Sequence, residues 1–349
     1  MLKKILCLTL AVLMILGTFV GCGETETPES TPAPTEPAIV DYTQQDDGNL
    51  KILTLGHSLA VDAGHLLAPI AAAEGVNNLT IGTLYYSGCP LNKHVEFATG
   101  NKPEYKLYIS NSASPSRPEI MDSVTMKDAL RYQDWDIIVM QGGVFEIAKS
   151  ETYTNGNIQK IQEFVKANVL KKDFVFAWNM PWSPATEMLL KAKFPLEPNT
   201  YISNYEPYGN NRQTLFNDIT KCVGDHIVTD NTFKFLIPTG TAFENAMTSY
   251  LTEYDLHRDY VHASDLARII ITYTWLCKLK GIEKLDELKF TTLSKTYFNS
   301  KTDVVDYVLT ESEINLILES VNNALANPLQ ITQSQYTEAP ADYVAVLPS

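Results

Sequence analysis

The sequence is poor in positive charge and in cysteine. It holds 27 Lys and Arg residues against 41 Asp and Glu residues, a formal net charge of −14 at pH 7. Because nucleic-acid phosphates are bound by clustered Lys and Arg, this balance argues against nucleic acid as a partner. The five cysteines show no paired spacing, so neither a zinc site nor a disulfide framework is indicated. We expect buried free thiols at Cys89, Cys222 and Cys277.

Glycine-rich phosphate-binding motifs are also missing. No such fingerprint follows the first strand-like segment, Lys51–Leu55, and this argues against Rossmann and P-loop proteins. No internal repeat is visible. The folded part of the chain suits one sizeable domain, although two small domains would also fit its length.

The chain begins with a segment typical of an export signal. Lys3 and Lys4 precede an almost unbroken apolar run, Ile5–Val20, and polar sequence follows at once, which favours a signal peptide over a membrane span. The junction Phe19-Val20-Gly21-Cys22 resembles a bacterial lipobox. We therefore expect lipidation of Cys22 and anchoring to the outer face of a bacterial cell membrane. A plain cleaved signal or an uncleaved anchor is the alternative.

Composition divides the chain into four segments. The signal peptide and lipobox occupy residues 1–22, and a disordered Thr/Pro/Glu-rich tether follows over 23–48, with too little apolar content to fold. Residues 49–328 have the composition of a folded domain. Beyond Pro328 the periodic pattern ends, which predicts a loosely ordered tail over 329–349.

Five apolar segments alternate with helical patterns in the folded domain. Buried strands of this kind, separated by helices, predict an α/β fold: a three-layer α/β/α sandwich with a mostly parallel five-stranded sheet. The predicted strands are Lys51–Leu55, Leu79–Tyr86, Trp135–Met140, Phe174–Trp178 and Phe233–Ile237. The stretch Tyr105–Arg117 is open to two interpretations, a small hairpin or an excursion over the active face.

Three helices carry clear sequence signals. An apolar stripe marks Asn157–Leu170, and another marks Ser264–Lys280, which Gly281 ends. The last helix begins at Thr310, where Glu313 three residues on completes a capping box.

Ser58 is the first candidate for catalysis. It follows the first strand in the run Leu55-Gly56-His57-Ser58-Leu59, at the carboxyl edge where open α/β sheets bind their ligands. Gly56 permits a tight turn, and the amides of the turn could face an oxyanion. A plain helix N-cap serine is the alternative.

Asp259 and His262 form the second candidate element, directly before the penultimate helix. An acid three residues ahead of a histidine can orient the ring through one nitrogen and leave the other to take a serine proton. Simple capping of that helix is the alternative. A metal site including Asp255 and His257 is disfavoured, because these four residues lack the regular helical spacing of zinc motifs.

These blocks resemble the SGNH (GDSL-like) hydrolase superfamily. Gly56-His57-Ser58-Leu59 is similar to its first block, with His57 in place of the usual acid or amide, and Asp259-x-x-His262 is similar to its last. The runs 237–242 and 245–246 further resemble a bacterial branch, domain of unknown function 4886. The likeness covers most of residues 50–281 and implies an SGNH/flavodoxin-like fold. An α/β-hydrolase is disfavoured because Ser58 follows the first strand instead of a later one.

The middle blocks of the superfamily also have counterparts. Gly88 follows the second strand, where the superfamily places a glycine amide in the oxyanion hole, and Gln141 follows the third, where it usually has Asn. The resemblance therefore implies an oxyanion hole made by the Ser58 and Gly88 amides and the Gln141 side chain. His57, Tyr86 and His94 are candidate substrate contacts.

The function implied is acyl transfer by Ser58, His262 and Asp259, with no metal or organic cofactor. Aromatic residues near strand ends or in the stretch 181–211 favour an acylated glycan or small molecule as substrate, and roughly half of them are expected to pack in the core. They are Tyr85, Tyr86, Trp178, Trp182, Tyr201, Tyr205 and Tyr208. A monomer is expected. The alternative function is a non-catalytic glycan-binding lipoprotein or a pseudoenzyme.

Overall fold

A computed structural model describes residues 48–115, 118–187, 205–294 and 306–345. The signal segment with Cys22, the tether up to residue 47, and Tyr201 lie outside the described residues.

A seven-stranded sheet forms the centre of the described domain, with the strand order β4-β3-β2-β1-β5-β6-β7. Its strands are β1 (Leu50–Gly56), β2 (Leu79–Tyr85), β3 (Tyr105–Asn111), β4 (Glu119–Val124), β5 (Ile137–Met140), β6 (Val175–Asn179) and β7 (Phe233–Ile237). The five strands predicted from the sequence are β1, β2, β5, β6 and β7, and each neighbouring pair among them runs parallel. Their apolar runs are buried on both faces, as parallel strands require.

The predicted count of five strands was wrong because β3 and β4 extend the sheet beyond β2. Both pair antiparallel with their neighbours, so the stretch beginning at Tyr105 contributes an edge hairpin. Strand β4 is an edge strand whose side chains are mostly exposed. It therefore needs no apolar run, and nothing in its sequence distinguishes it from a loop.

Helices cover both faces of the sheet and make three layers. One layer contains α1, α2 and α9 to α12, and the other contains α3 to α8. The helices are α1 (Ser58–Gly64), α2 (Leu67–Ala73), α3 (Leu91–Thr99), α4 (Met126–Tyr132), α5 (Val144–Ile147), α6 (Glu151–Thr154), α7 (Asn157–Asn168), α8 (Arg212–Val223), α9 (Thr239–Ala246), α10 (Glu253–Leu256), α11 (Asp265–Lys280) and α12 (Glu311–Ala326). None of the helices in the described part of the chain has the length and apolarity needed to cross a bilayer.

The three predicted helices are confirmed as α7, α11 and α12. The Ser264 side chain accepts a hydrogen bond from Ala267 N–H at the start of α11, and Gly281 ends that helix at a φ of 68°. At the start of α12, Thr310 and Glu313 cap each other's backbone N–H groups. The prediction of buried free thiols at Cys89, Cys222 and Cys277 is also confirmed.

The segment after Pro328 differs from the predicted loose tail over residues 329–345. Backbone N–H groups of Thr332 and Ser334 donate to side chains of α9 and its C-terminal turn, at 2.7 Å each. The Tyr343 hydroxyl donates to Asp255 Oδ2 at 2.7 Å. This segment was missed because its apolar residues that pack against the core, among them Leu329 and Ile331, follow neither a helix nor a strand period, and its other contacts are made by polar and backbone groups.

Candidate active site

The site lies at the carboxyl edge of the parallel strands. Strand β1 pairs with β2 on one side and β5 on the other, so the loops after these three strands converge. They carry Ser58, Gly88 and Gln141 respectively. Chain topology therefore brings together three segments that are separated by about thirty and about fifty residues in the sequence.

Ser58, His262 and Asp259 form a hydrogen-bonded triad. His262 Nε2 lies 2.7 Å from Ser58 Oγ. On the other side of the ring, His262 Nδ1 lies 2.8 Å from Asp259 Oδ2 and 3.0 Å from Oδ1. Ser58 is half-buried at the start of α1, so its hydroxyl is held by the fold and still reachable from solvent.

The carboxylate of Asp259 determines which ring nitrogen carries the proton. A carboxylate can only accept hydrogen bonds, so Nδ1 of His262 must donate, and Nε2 is free to accept from Ser58 Oγ–H. Burial alone would raise the pKa of Asp259, but hydrogen bonds from the His262 ring and from the Val261 and His262 amides outweigh it and hold the pKa below its usual value. Asp259 is therefore ionised at neutral pH, as the histidine requires.

Further hydrogen bonds hold the loop that carries Asp259 and His262. Trp182 Nε1 donates to Val261 O at 2.9 Å, and Ala185 N–H donates to Tyr260 O at 2.9 Å. The nearby residues disfavoured as metal ligands face elsewhere. Asp255 accepts from Thr252 and Tyr343, and His257 Nε2 lies 3.1 Å from Ser183 O.

A cavity of about 570 Å³ opens onto the triad. Ser58 and His262 lie in its wall together with Ser87, Gly88 and Gly143. Three aromatic residues, Phe145, Tyr85 and Tyr260, also line the cavity, so its wall combines polar side chains with aromatic rings. Such a mixture is typical of small-molecule sites.

The backbones of Ser58 and Gly88 both lie in the wall of the cavity. Ser58 is the first residue of α1, and the first N–H groups of a helix have no acceptor within the helix. Gly88 lies across the cavity at a φ of 57°, a left-handed conformation that suits glycine, and a Cβ there would meet no atom within 4 Å. The loop thus turns its backbone toward the cavity.

Gln141 lies behind the cavity wall, which differs from the oxyanion role implied by the resemblance. It is completely buried, and it is not among the residues that line the cavity. Its Oε1 accepts from Asn179 Nδ2 at 2.5 Å, and its Nε2 lies 3.2 Å from His57 Nε2. The longer Gln side chain therefore contacts His57 instead of the reacting centre.

Trp275 fixes the orientation of the Asn179 amide. An indole N–H can only donate, and it lies 3.1 Å from Asn179 Oδ1. Thr239 Oγ1 also donates to that oxygen, at 2.5 Å. Asn179 must consequently direct its NH₂ group to Gln141 Oε1.

His57 joins this buried network to the cavity. Its Nδ1 accepts from Leu59 N–H at 3.4 Å, which caps α1, and its Nε2 lies 3.3 Å from Gly142 O. The ring is buried with one side in the cavity wall. Burial lowers the pKa of His57 to about 4, so the ring is neutral at physiological pH.

Tyr86 and His94 do not line the cavity among the described residues, in contrast to their predicted role as substrate contacts. Tyr86 packs edge-on against Phe97, with ring centroids 4.9 Å apart. His94 is buried on α3, where its Nδ1 lies 2.9 Å from the Tyr105 hydroxyl. The candidate aromatics that lie in the core are Trp178, Trp182, Tyr205 and Tyr208.

Some residues of the site were not found from the sequence. Phe145 lies in the four-residue helix α5 and Tyr260 lies in a loop, and single aromatic residues in such short segments match no sequence pattern. Glu146 accepts hydrogen bonds from Leu91 N–H, at 3.1 Å, and from Gly143 N–H, at 3.2 Å. It thereby joins the loops that follow β2 and β5. Gly143 has no side chain with which to complete a capping box, so no sequence pattern indicated this contact.

The family model described as "Domain of unknown function (DUF4886)" matches residues 51–294. The chain belongs to this family. The match spans every strand of the main sheet and all three residues of the triad. No curated protein matches this chain.

Two solved structures are similar to this DUF4886 protein. A DUF4886 family protein from Bacteroides uniformis ATCC 8492 has a TM-score of 0.65 at 21% identity, over 83% of this chain and 100% of that chain. It supports the fold. A protein from Slackia heliotrinireducens, assigned provisionally to the SGNH hydrolases, has a TM-score of 0.38 at 16% identity, over 65% of this chain and 97% of that one. That likeness is too distant to carry an argument.

Proposed function

We propose that this DUF4886 protein is a serine hydrolase that cleaves an ester bond through Ser58, His262 and Asp259. The observation that carries the proposal is the triad itself. A serine hydroxyl lies 2.7 Å from an imidazole nitrogen whose other nitrogen donates to a carboxylate. This is the arrangement that activates a serine for nucleophilic attack.

The proposed reaction proceeds in two steps. Ser58 Oγ attacks the ester carbonyl while His262 Nε2 takes its proton, and the same proton then passes to the departing alcohol, which leaves an acyl-serine. Water attacks the acyl group in the second step. His262 takes a proton from this water and returns it to Ser58 Oγ as the acid departs.

Backbone amides of Ser58 and Gly88 are the proposed donors to the oxyanion. Both residues lie in the cavity wall, and loss of one such donor typically costs about 3 kcal/mol in the barrier. We assign Gln141 a supporting role, because its amide is occupied by Asn179 and His57.

An acylated carbohydrate, with acetyl as the acyl group, is the proposed substrate. The aromatic rings of Tyr85, Phe145 and Tyr260 around the triad support this proposal, because flat apolar faces beside polar groups suit sugar rings. The apolar run followed by Cys22 supports a lipid-anchored location on the outer face of a bacterial membrane, where such glycans would be reached. The proposed unit is a monomer.

A fluorophosphonate probe tests the catalytic part of the proposal. The wild type should be labelled covalently, and Ser58→Ala should not be labelled, as read by gel fluorescence and intact mass. Ser87→Ala is the matched control, since Ser87 lines the same cavity without contacting His262, and it should be labelled as the wild type is. An unlabelled wild type with correct folding would favour a glycan-binding protein or a pseudoenzyme.

Acetate release tests the substrate. The wild type should release acetate from acetylated xylan or acetylated peptidoglycan, and Ser58→Ala should release none. If the fluorophosphonate probe labels Ser58 but no acetylated glycan releases acetate, the serine hydrolase proposal is kept and the acetylated carbohydrate is rejected as the substrate class.

A further inference from the structure

A buried carboxylate lies one helical turn beyond Ser58. Asp62 follows Ser58 by four residues on α1, and its side chain is 1% exposed. Positions four apart lie on the same helix face, so Asp62 is directed to the same side of α1 as the nucleophile. The proposed mechanism assigns it no task, and a buried carboxylate is costly unless it is paired and hydrogen-bonded.

Asp62 is hydrogen-bonded to both ends of the segment that carries Asp259 and His262. Arg258 Nη1, from the residue before Asp259, donates to Asp62 Oδ1 at 2.8 Å. Ala263 N–H, from the residue after His262, donates to Asp62 Oδ2 at 3.1 Å.

The segment is also closed on itself and fixed to α11. Arg258 N–H donates to His262 O at 3.0 Å, and Arg258 Nη1 donates to Ala263 O. Arg268 on α11 donates to Asp62 Oδ1 through Nε at 3.1 Å and Nη2 at 2.9 Å. Both oxygens of Asp62 are thus occupied by donors, and two guanidinium groups balance its charge.

We infer that Asp62 is a positioning residue that sets the distance between Ser58 and His262. The inference rests on the proposed function. The nucleophile belongs to α1 and the base belongs to a loop about two hundred residues later, so no local geometry relates them. Asp62 connects the two rigidly, because it is part of the helix that begins with Ser58 and binds the backbone on the far side of His262.

A neutral amide cannot replace this carboxylate. In Asp62→Asn one oxygen becomes an NH₂ group, which donates and cannot accept. Either the arginines or the Ala263 N–H then loses its acceptor, and the loop is released at one end. A displacement of about 1 Å at a reacting atom can cost about 100-fold in rate. We expect kcat on a nitrophenyl ester to fall about 10- to 100-fold, with KM within about twofold.

Asp136 provides a matched control. It is also buried, it accepts from Lys51 N–H and from Lys171 Nζ at 2.7 Å each, and it lies at the opposite end of β5 from the site. Asp136→Asn should lower the melting temperature while kcat stays at the wild-type value. If Asp62→Asn changes only the melting temperature, as Asp136→Asn does, the positioning role is rejected.

Arg258→Gln keeps the test decisive if Asp62→Asn fails to fold. The Arg258 side chain is 38% exposed, and Arg268 still neutralises Asp62, so the fold should survive while kcat falls several-fold. Unchanged kcat in this variant would contradict the inference.

Hydrogen–deuterium exchange separates this inference from the proposed function. Peptides covering residues 258–263 should exchange faster in Asp62→Asn than in the wild type and in Asp136→Asn. That readout needs no activity. If the wild type is inactive but Asp62→Asn exchanges faster as expected, the hydrolase proposal is rejected and the positioning role of Asp62 is kept. If the wild type is active but exchange in Asp62→Asn is unchanged, the positioning role is rejected.

Discussion

Asp259 can only accept hydrogen bonds and Trp275 can only donate them, and these two residues orient the polar groups on either side of Ser58. Asp259 places the proton of His262 on Nδ1. Trp275 orients Asn179, which in turn directs its NH₂ group to Gln141 Oε1. Single-role donors and acceptors remove the ambiguity that histidines and amides carry, so the tautomer of His262 and the orientation of Asn179 follow from their partners.

His94 should make stability depend on pH. It is buried, its Nδ1 contacts Tyr105, and its Nε2 has no hydrogen-bond partner within the described residues. A proton on Nε2 would therefore be buried without an acceptor. Burial lowers the pKa of His94 from 6.5 to about 3, so the unfolded chain binds a proton here between about pH 3 and 6.5 and the folded chain does not.

The free energy of unfolding should accordingly fall as pH drops through this window and stay flat above it. From pH 7 to pH 5 the contribution of His94 is about 2 kcal/mol, since each pH unit below the unfolded pKa adds about 1.4 kcal/mol. His94→Phe keeps a ring beside Tyr105. Its free energy of unfolding should fall between pH 7 and pH 5 by about 2 kcal/mol less than that of the wild type. Urea unfolding of both proteins at pH 7 and pH 5 measures it, and equal losses would contradict the argument.

At the scale of elements, β6, β7 and α9 meet at a close approach of backbones. Gly240, in the first turn of α9, donates its N–H to Met180 O at 2.6 Å. A Cβ on Gly240 would lie 2.3 Å from Pro181 O and 2.7 Å from Phe216 Cε2. The carbonyl belongs to the backbone after β6 and cannot rotate away.

Gly240→Ala should therefore destabilise the fold by at least about 2 kcal/mol, the cost of overpacking a filled interior. Gly224→Ala is the control. The nearest atom to a Cβ there is the end of the flexible Leu329 side chain at 3.0 Å, so its effect should stay within about 1 kcal/mol. Urea midpoints of the two variants give the comparison. Similar losses in both would show that the contact at Gly240 relaxes at low cost.

At the scale of the whole molecule, the proposed lipid anchor can be tested by labelling. In a bacterial host that processes lipoproteins, the full chain should incorporate an alkynyl fatty acid, detected by click fluorescence. Cys22→Ser should abolish this signal because the thiol is the acceptor of the lipid. Cys7→Ser is the control, since Cys7 lies inside the apolar run, and it should be labelled normally. Labelling that persists in Cys22→Ser would place the lipid on another residue. An unlabelled wild type would reject the lipid anchor.

Much of the fold could be predicted from local patterns. The buried strands β1, β2, β5, β6 and β7 carry apolar runs that follow from burial on both faces. Strand β4 could not be counted because an exposed edge strand needs no such run, and β3, which lies between β4 and β2, alternates buried and exposed residues and has no continuous apolar run. The packing of residues 329–345 was missed for a related reason, since its apolar residues follow no regular period and its polar contacts leave none.

For the site, the sequence by itself determined which residue types stand at the strand ends, and so Ser58, Asp259, His262 and Gly88 could be proposed from block order and resemblance. Only the tertiary structure decided where each side chain points. Gln141 is buried behind the cavity wall, and Tyr86 and His94 pack against Phe97 and Tyr105. Asp62 connects α1 to the loop that carries His262. The reason is physical: chain order brings strand ends together, whereas the direction of a side chain depends on partners distant in sequence.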